Sequence, residues 1–167
     1  NDFEEKILQL EEEKIQRYLW RKKRETTQVF IDDFCVGIVH GESYHSELGN
    51  ELGKLFPHLD YIAIMNVGGK RISLRTIHDR IDVSQIAGKY GGGGHAKASG
   101  CTMKEGAFEE YVVNAFKGEP IMADADQNVQ NVKESAKGTL YENMKKEQYF
   151  IQNEKKKNWL VHFNGEV

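Results

Sequence analysis

The sequence predicts an α/β fold: a mixed β-sheet with flanking helices, preceded by one long helix and followed by a β-hairpin extension. Three observations carry this reading. Apolar residues run or alternate over strand lengths at 28–31, 34–39, 61–67 and 71–76. After each of these strand pairs they recur at the three-to-four-residue spacing of a helix. The resulting order, β-β-α-β-β-α, suits a sheet with helices packed on it.

Taken in order, residues 3–25 read as one helix. Phe3, Ile7 and Leu10 mark an apolar stripe that Ile15, Leu19 and Trp20 extend with a shift, and no Gly or Pro interrupts it. The cluster Arg21-Lys22-Lys23-Arg24 reads as a solvated helix end, where cations offset the C-terminal dipole, in preference to a nucleic-acid contact. Strands at 28–31 and 34–39 flank a tight turn at Asp32-Asp33. Leu48, Leu52, Leu55 and Phe56 give a helix over 43–56, with Ser43 the expected N-cap, Ser46 the second choice and Pro57 the stop. The run Tyr61–Val67 is apolar enough for a central strand buried on both faces. Gly68-Gly69 turns the chain into the alternating partner strand Arg71–Thr76. Asp82 caps a short helix over 83–90, with Gln85 at a capping-box position. Ile86 and Tyr90 face the core. A strand at Ser99–Met103 and a helix over 106–116 follow. Residues 121–138 are polar and weakly patterned, and 148–151 with 159–163 read as a hairpin around a loop at 153–158.

Composition narrows the function. The 167 residues carry a formal net charge of -3, which argues against a protein that coats long duplexes through many phosphate contacts. A pocket for one or two phosphates needs no basic excess, so a small anionic ligand is favoured. No apolar run approaches the roughly 18 residues of a membrane span, and the acidic, polar N-terminus is no signal peptide. The two cysteines, Cys35 and Cys101, lack CxxC spacing and read as reduced residues of a cytoplasmic protein. The chain begins at Asn1 without an initiator Met, which suggests a fragment or a processed chain.

The chemistry concentrates at Gly91-Gly92-Gly93-Gly94-His95. Four consecutive glycines are entropically costly. A folded domain keeps them where side chains would block something or where the backbone needs positive φ, and both hold in a nest of N–H groups around an anion. His95 adds a ring N–H donor. A flexible hairpin loop with an incidental His is the plainer alternative for the run taken alone. Walker and dinucleotide-binding glycine patterns are absent.

The surrounding residues change the balance. Ile72-Ser73-Leu74-Arg75-Thr76, then Asp82-Val83-Ser84-Gln85-Ile86-Ala87, then Gly91-Gly92-Gly93-Gly94-His95-Ala96-Lys97-Ala98-Ser99-Gly100 closely resembles the DHH-associated domain of DHH-family phosphoesterases over about residues 28–117. That family includes oligoribonucleases, 3′-phosphoadenosine 5′-phosphate phosphatases, cyclic-dinucleotide phosphodiesterases and single-strand-specific DNA exonucleases. His40-Gly41-Glu42, Ser46-Glu47-Leu48-Gly49-Asn50 and Lys137-Gly138-Thr139-Leu140-Tyr141-Glu142-Asn143 resemble the oligoribonuclease branch.

The resemblance implies a division of labour. A preceding DHH domain holds two manganese ions, and the associated domain grips the substrate. This chain has no Asp-His-His triplet, and its six histidines form no ligand cluster with carboxylates, so the expectation is no catalytic residue, no metal ligand and no hydrolysis by this chain alone. The implied organisation is a linker helix at 1–25, the DHH-associated domain at 26–120 and an extension at 121–167. The implied phosphate-binding residues are Arg75, Gly91, Gly92, Gly93, Gly94 and His95, with Lys97, Ser99 and Arg71 weaker. For Arg75 the alternative is an ion pair with Asp79 or Asp82. Expected partners are short single-stranded oligonucleotides or nucleotides and the chain's own DHH domain, with no membrane; a homodimer is left open. Substrates weighed beside short RNA are cyclic dinucleotides and 3′-phosphoadenosine 5′-phosphate. A stand-alone nucleotide-binding module is the alternative from another class, and an aminoacyl-tRNA editing relative is disfavoured because its Cys/His metal patterns are missing.

Overall fold

The computed structural model describes residues 1–104, 106–118, 120–121, 131–135, 138–142, 147–154 and 158–163. The chain divides into two compact units, Asn1–Ile121 and Met122–Val167.

In the first unit, helix α1 (Asp2–Glu25) starts on a capping box between Asn1 and Glu4 and ends on Lys22, Lys23 and Arg24. Its C-terminal half packs: Leu19 and Lys22 are buried, and Lys22 pairs with Glu25 at 2.9 Å. Arg24 lies over the Trp20 ring at 4.1 Å. The apolar stripe of the first turns stays exposed, with Phe3 at 72%. The remaining elements are β1 (Thr27–Ile31), β2 (Phe34–His40), α2 (His45–Leu55), β3 (Tyr61–Asn66), β4 (Arg71–Arg75), α3 (Val83–Gly88), β5 (Gly93–His95) and β6 (Ala98–Thr102). A π-helical stretch (Phe108–Val113) leads into α4 (Asn114–Lys117).

The six strands form one mixed sheet in the order β1-β2-β3-β4-β6-β5. Only β2 and β3 run parallel, because α2 carries the chain back between them; the other neighbours are antiparallel. Side chains alternate between the two faces. One face supplies Val36, Ile38, Tyr61, Ala63, Ile72, Leu74 and Cys101 to a core closed by Val83, Ile86 and Ala87 of α3 and by Tyr111. Inside it the Tyr61 and Tyr111 hydroxyls bond each other at 2.9 Å, and burial pushes both phenols' pKa up. On the other face α2, with Leu48 and Leu52 buried, packs on β3 and β4.

Three expectations change. The N-cap of α2 is neither Ser43 nor Ser46. The cap is Tyr44 in a left-handed conformation, without a side-chain cap, because Tyr44 is instead tied to α1 by a 2.7 Å bond from its hydroxyl to Glu11 and an edge contact with Tyr18. The glycine run is not simply a loop, since Gly93–His95 is the edge strand β5. The second unit is more than a hairpin: β7 (Asn131–Ser135), β8 (Gly138–Glu142), β9 (Gln148–Glu154) and β10 (Asn158–Phe163) form an antiparallel four-stranded meander. The polar sequence of β7 and β8 carries no apolar alternation strong enough to announce them. Lys137, Asn143 and the centre of the loop expected at 153–158 lie outside the described residues.

Candidate functional site

Arg75 ends β4, and the sheet register fixes its neighbours. Ala98 of β6 lies opposite Arg75, and His95 of β5 lies opposite Ala98. Residues paired across strands share a face, so Arg75, Ala98 and His95 form one row on the face that carries α2. The next row is Ser73, Gly100 and Gly93, and the third is Arg71 and Thr102. Three small residues therefore floor a shelf edged by two arginines and a histidine. Gly93 and His95 are exposed, and Ala98 and Gly100 are half-buried. From Arg75 to His95 is two strand spacings, roughly 10 Å, a separation that a phosphate and its ester oxygens can bridge.

Helix α2 shapes the inner wall. A Cβ on Gly49 would lie 2.5 Å from Cγ of Arg75, so only glycine lets the arginine stem lie under the helix. The His45 Nε2–H donates to the Gly41 carbonyl and Nδ1 bonds the Ser73 hydroxyl, both at 2.9 Å. These bonds pin the first turn of α2 to β4. The Arg75 guanidinium opens onto a cleft of about 170 Å³ lined by Ser46, Asn50 and Lys97 among others. That is smaller than the roughly 300–1,000 Å³ of pockets for drug-sized ligands and suits a phosphate group. The buried Arg75 Nε has no hydrogen-bond partner among the described residues. Neither carboxylate weighed as its partner takes it: Asp79 pairs with Lys97 at 2.6 Å, and Asp82 accepts from the N–H and hydroxyl of Ser84 to cap α3. An arginine left without an acidic partner retains its planar, two-point capacity for phosphate.

The glycines divide by role. Gly91, at φ 75°, donates its N–H to Gly88, and Gly92 donates to Ala87. Both N–H groups thus terminate α3 and do not converge on an anion, so the nest picture gives way at these two positions. Gly92 is also a close approach, since its Cβ would meet the Gly100 carbonyl oxygen at 2.1 Å. Gly93, by contrast, faces open space. The turn after His95 is held from both sides, by Thr76 N–H to the Lys97 carbonyl and Val83 N–H to the Ala96 carbonyl. Ser99 faces away from the shelf and donates its hydroxyl to the Val83 carbonyl at 2.6 Å; it joins β6 to α3. Lys97 is exposed at the cleft's edge, and Arg71 stands at the far end of the shelf. Tyr90 stacks edge-on against Tyr111 in the core.

His45, Ser46, Gly49 and Ser73 are site-forming residues that sequence reasoning missed. Two signals were available: Gly49 and Gly53 four apart on a helix, which marks a close approach, and the resemblance of Ser46–Asn50 and of the strand holding Ser73 to the family, which assigned them no role. Among the described residues no three His, Cys, Asp or Glu side chains come together in a way that could hold a metal ion. No helix among them is long and apolar enough to cross a membrane, and both cysteines are free.

Comparison with known proteins adds to this geometry. The chain is 59% identical over 170 aligned positions to oligoribonuclease NrnB of Bacillus subtilis, an alignment that covers the whole of this chain and 42% of that protein. An uncharacterised protein of Acanthamoeba polyphaga mimivirus is 43% identical over 61 residues, covering 34% of this chain and 14% of that one. A distant solved likeness is a pGpG-specific phosphodiesterase from Vibrio cholerae, with 17% identity, a TM-score of 0.40, and coverage of 63% of this chain and 39% of that one. No family model matches the chain.

Proposed function

We propose that the chain is a DHH-associated domain of the nanoRNase branch, the substrate-gripping part of a phosphodiesterase that hydrolyses short RNA oligonucleotides to mononucleotides; its 59% identity to oligoribonuclease NrnB supports this reading. The observation that carries the proposal is Arg75, held under α2 with a buried Nε that has no partner among the described residues, in one row with Ala98 and His95. A terminal phosphate at the cleft would take two parallel bonds from the Arg75 guanidinium. His95 would close on its outer side, and the Gly100 and Ala98 floor would let the sugar lie flat on the sheet. Such a grip orients a short end and excludes stiff duplex, because the cleft has room for one phosphate and not for a second strand.

The described residues do not fit a two-manganese centre, so no chemical step is routed through metal on this chain. The chain spans 42% of the length of the oligoribonuclease it matches. We place the metal-bearing, bond-breaking residues of the parent protein in a DHH domain beyond these 167 residues, with a cytoplasmic location. Hydrolysis of a phosphodiester there would use metals to generate hydroxide and to clamp the phosphate in line.

The test is a pair of assays on the purified 167-residue chain. It should bind a 5′-phosphorylated dinucleotide and release no mononucleotide when manganese is added. Robust hydrolysis with contamination excluded would overturn the division of labour. Preference for 3′-phosphoadenosine 5′-phosphate or a cyclic dinucleotide over a linear one would move the substrate assignment.

A further inference from the structure

The shelf does not end at Arg71. Beyond it, at the turn end of β3, β4 and β6, lies an apolar basin of about 470 Å³, within the roughly 300–1,000 Å³ range of small-molecule sites. Its floor and wall are Val67, Met103 and Phe108, and its rim is Lys70, Arg71 and Lys104. Val67 and Phe108 are large apolar residues left 45% and 43% exposed. Among the described residues, which do not include Glu105, Lys70, Arg71 and Lys104 form no ion pair and no acidic side chain lines the basin. Lys70 sits at φ 55°, an uncommon conformation for a residue with a Cβ. Its backbone is clamped there by its N–H to the Val67 carbonyl and by its carbonyl receiving the Met103 N–H.

This chemistry selects its occupant. An aromatic ring in an apolar basin presents a face for another flat apolar surface, and three cations without an acidic partner among the described residues call for anionic charge at the edge. A nucleotide offers both at once, and stacking on an aromatic residue accepts any base. The basin meets the shelf around the end of the sheet, at Arg71: Met103 packs against the core on the sheet's other face, whereas Arg71 lines the basin from the side of the shelf. Arg71 and Arg75 are on the same face of β4, four residues or about 13 Å apart. The Arg71 guanidinium leans back over the shelf, its Nη2 3.8 Å from where a side chain on Gly100 would begin.

We propose that the basin is a second nucleotide subsite, which takes a base and phosphate further along the same oligonucleotide whose terminal phosphate is held at Arg75. This rests on the oligonucleotide reading above and deepens it: substrates longer than a dinucleotide gain affinity from this chain. The basin acts as the far stop of a ruler, with Arg75 at one end, Phe108 at the other and Arg71 between.

The experiment is titration of the 167-residue chain with 5′-phosphorylated di-, tri-, tetra- and pentanucleotides, with Phe108→Ala, Lys70→Glu/Lys104→Glu and Arg75→Ala alongside. Melting curves control for folding. Wild type should bind tetranucleotide about tenfold tighter than dinucleotide, the scale of one stacked base. Phe108→Ala and the double charge reversal should flatten that rise, with losses that grow with length. Arg75→Ala should weaken every length alike. A wild-type affinity that does not rise with length, or a rise that survives both basin variants, overturns the subsite. An Arg75→Ala chain that binds like wild type while the length dependence persists leaves the basin standing and removes the reading of the shelf. Concentration-dependent self-association abolished by Phe108→Ala assigns the basin to a second copy and also overturns the proposal.

Discussion

The same face of the sheet is treated in two ways. Over β3 and β4 it lies beneath α2, and apolar side chains such as Ile62 and Ile64 are fully removed from water. Over β6 and β5 the floor is Ala98, Gly100 and Gly93, half-buried or exposed, while α3 supports those strands from behind. Burying a large aliphatic side chain is worth about 1.5–3 kcal/mol, so the covered region is where stability comes from. The small residues of the edge contribute little of that. What they provide is room beside a charged row. Substitutions in the covered region should therefore lower stability, and those in the charged row should lower binding.

The sharpest break in that rule lies where the edge joins the body. Gly92→Ala drives a Cβ against the Gly100 carbonyl and should cost about 3 kcal/mol, the upper range for overpacking. Gly93→Ala, one residue on and facing open space, should stay within about 0.5 kcal/mol of wild type. Denaturant midpoints of the two variants decide this, and equal midpoints would remove the close-approach account of the glycine run.

A smaller effect belongs to the residue that leads into β3, outside both regions. Burial alone would raise the Asp60 pKa, but the Cys35 N–H at 2.8 Å and Arg80 at 2.6 Å outweigh it and hold the carboxyl below its ordinary value of 3.8. A depressed pKa means stability that is present above the unfolded value and is lost as pH falls through the folded one. Asp60→Asn should cost about 1–2 kcal/mol at pH 7 through the weakened bonds, leave phosphate binding unchanged, and lose its deficit relative to wild type as the pH is taken below 4. Urea titrations across that range would show this; a deficit that does not shrink in acid would mean the carboxylate charge is not what is lost.

The strand pairs were legible because their apolar alternation is strong, and the turns at Asp32-Asp33 and Gly68-Gly69 carry their own signals. The row of Arg75, Ala98 and His95 was not legible, because residues twenty apart become neighbours only through the register of β4, β6 and β5. Nor was the fate of the Gly91 and Gly92 N–H groups, since a glycine that ends a helix and one that lines an anion nest look alike in sequence. Ser99 illustrates the same limit: its spacing placed it beside the site, while the pleat turns it to the opposite face. The start of α2 was missed because the serines are better intrinsic caps than Tyr44, and the tertiary bonds of Tyr44 to Glu11 and Tyr18 overrode that preference.

The central claim is that Arg75 grips phosphate from the bare end of the sheet without being needed for the fold. Titration calorimetry of a 5′-phosphorylated dinucleotide against wild type, Arg75→Ala and Arg75→Lys tests it most directly. A charge-assisted contact of about 1.5–3 kcal/mol predicts a loss on the order of tenfold to a hundredfold for Arg75→Ala, shrinking at high salt. Arg75→Lys should recover only part of it, because an ammonium lacks the planar two-point contact, and melting curves should remain close to wild type. An Arg75→Ala chain that stays folded and binds the dinucleotide as tightly as wild type would contradict the account.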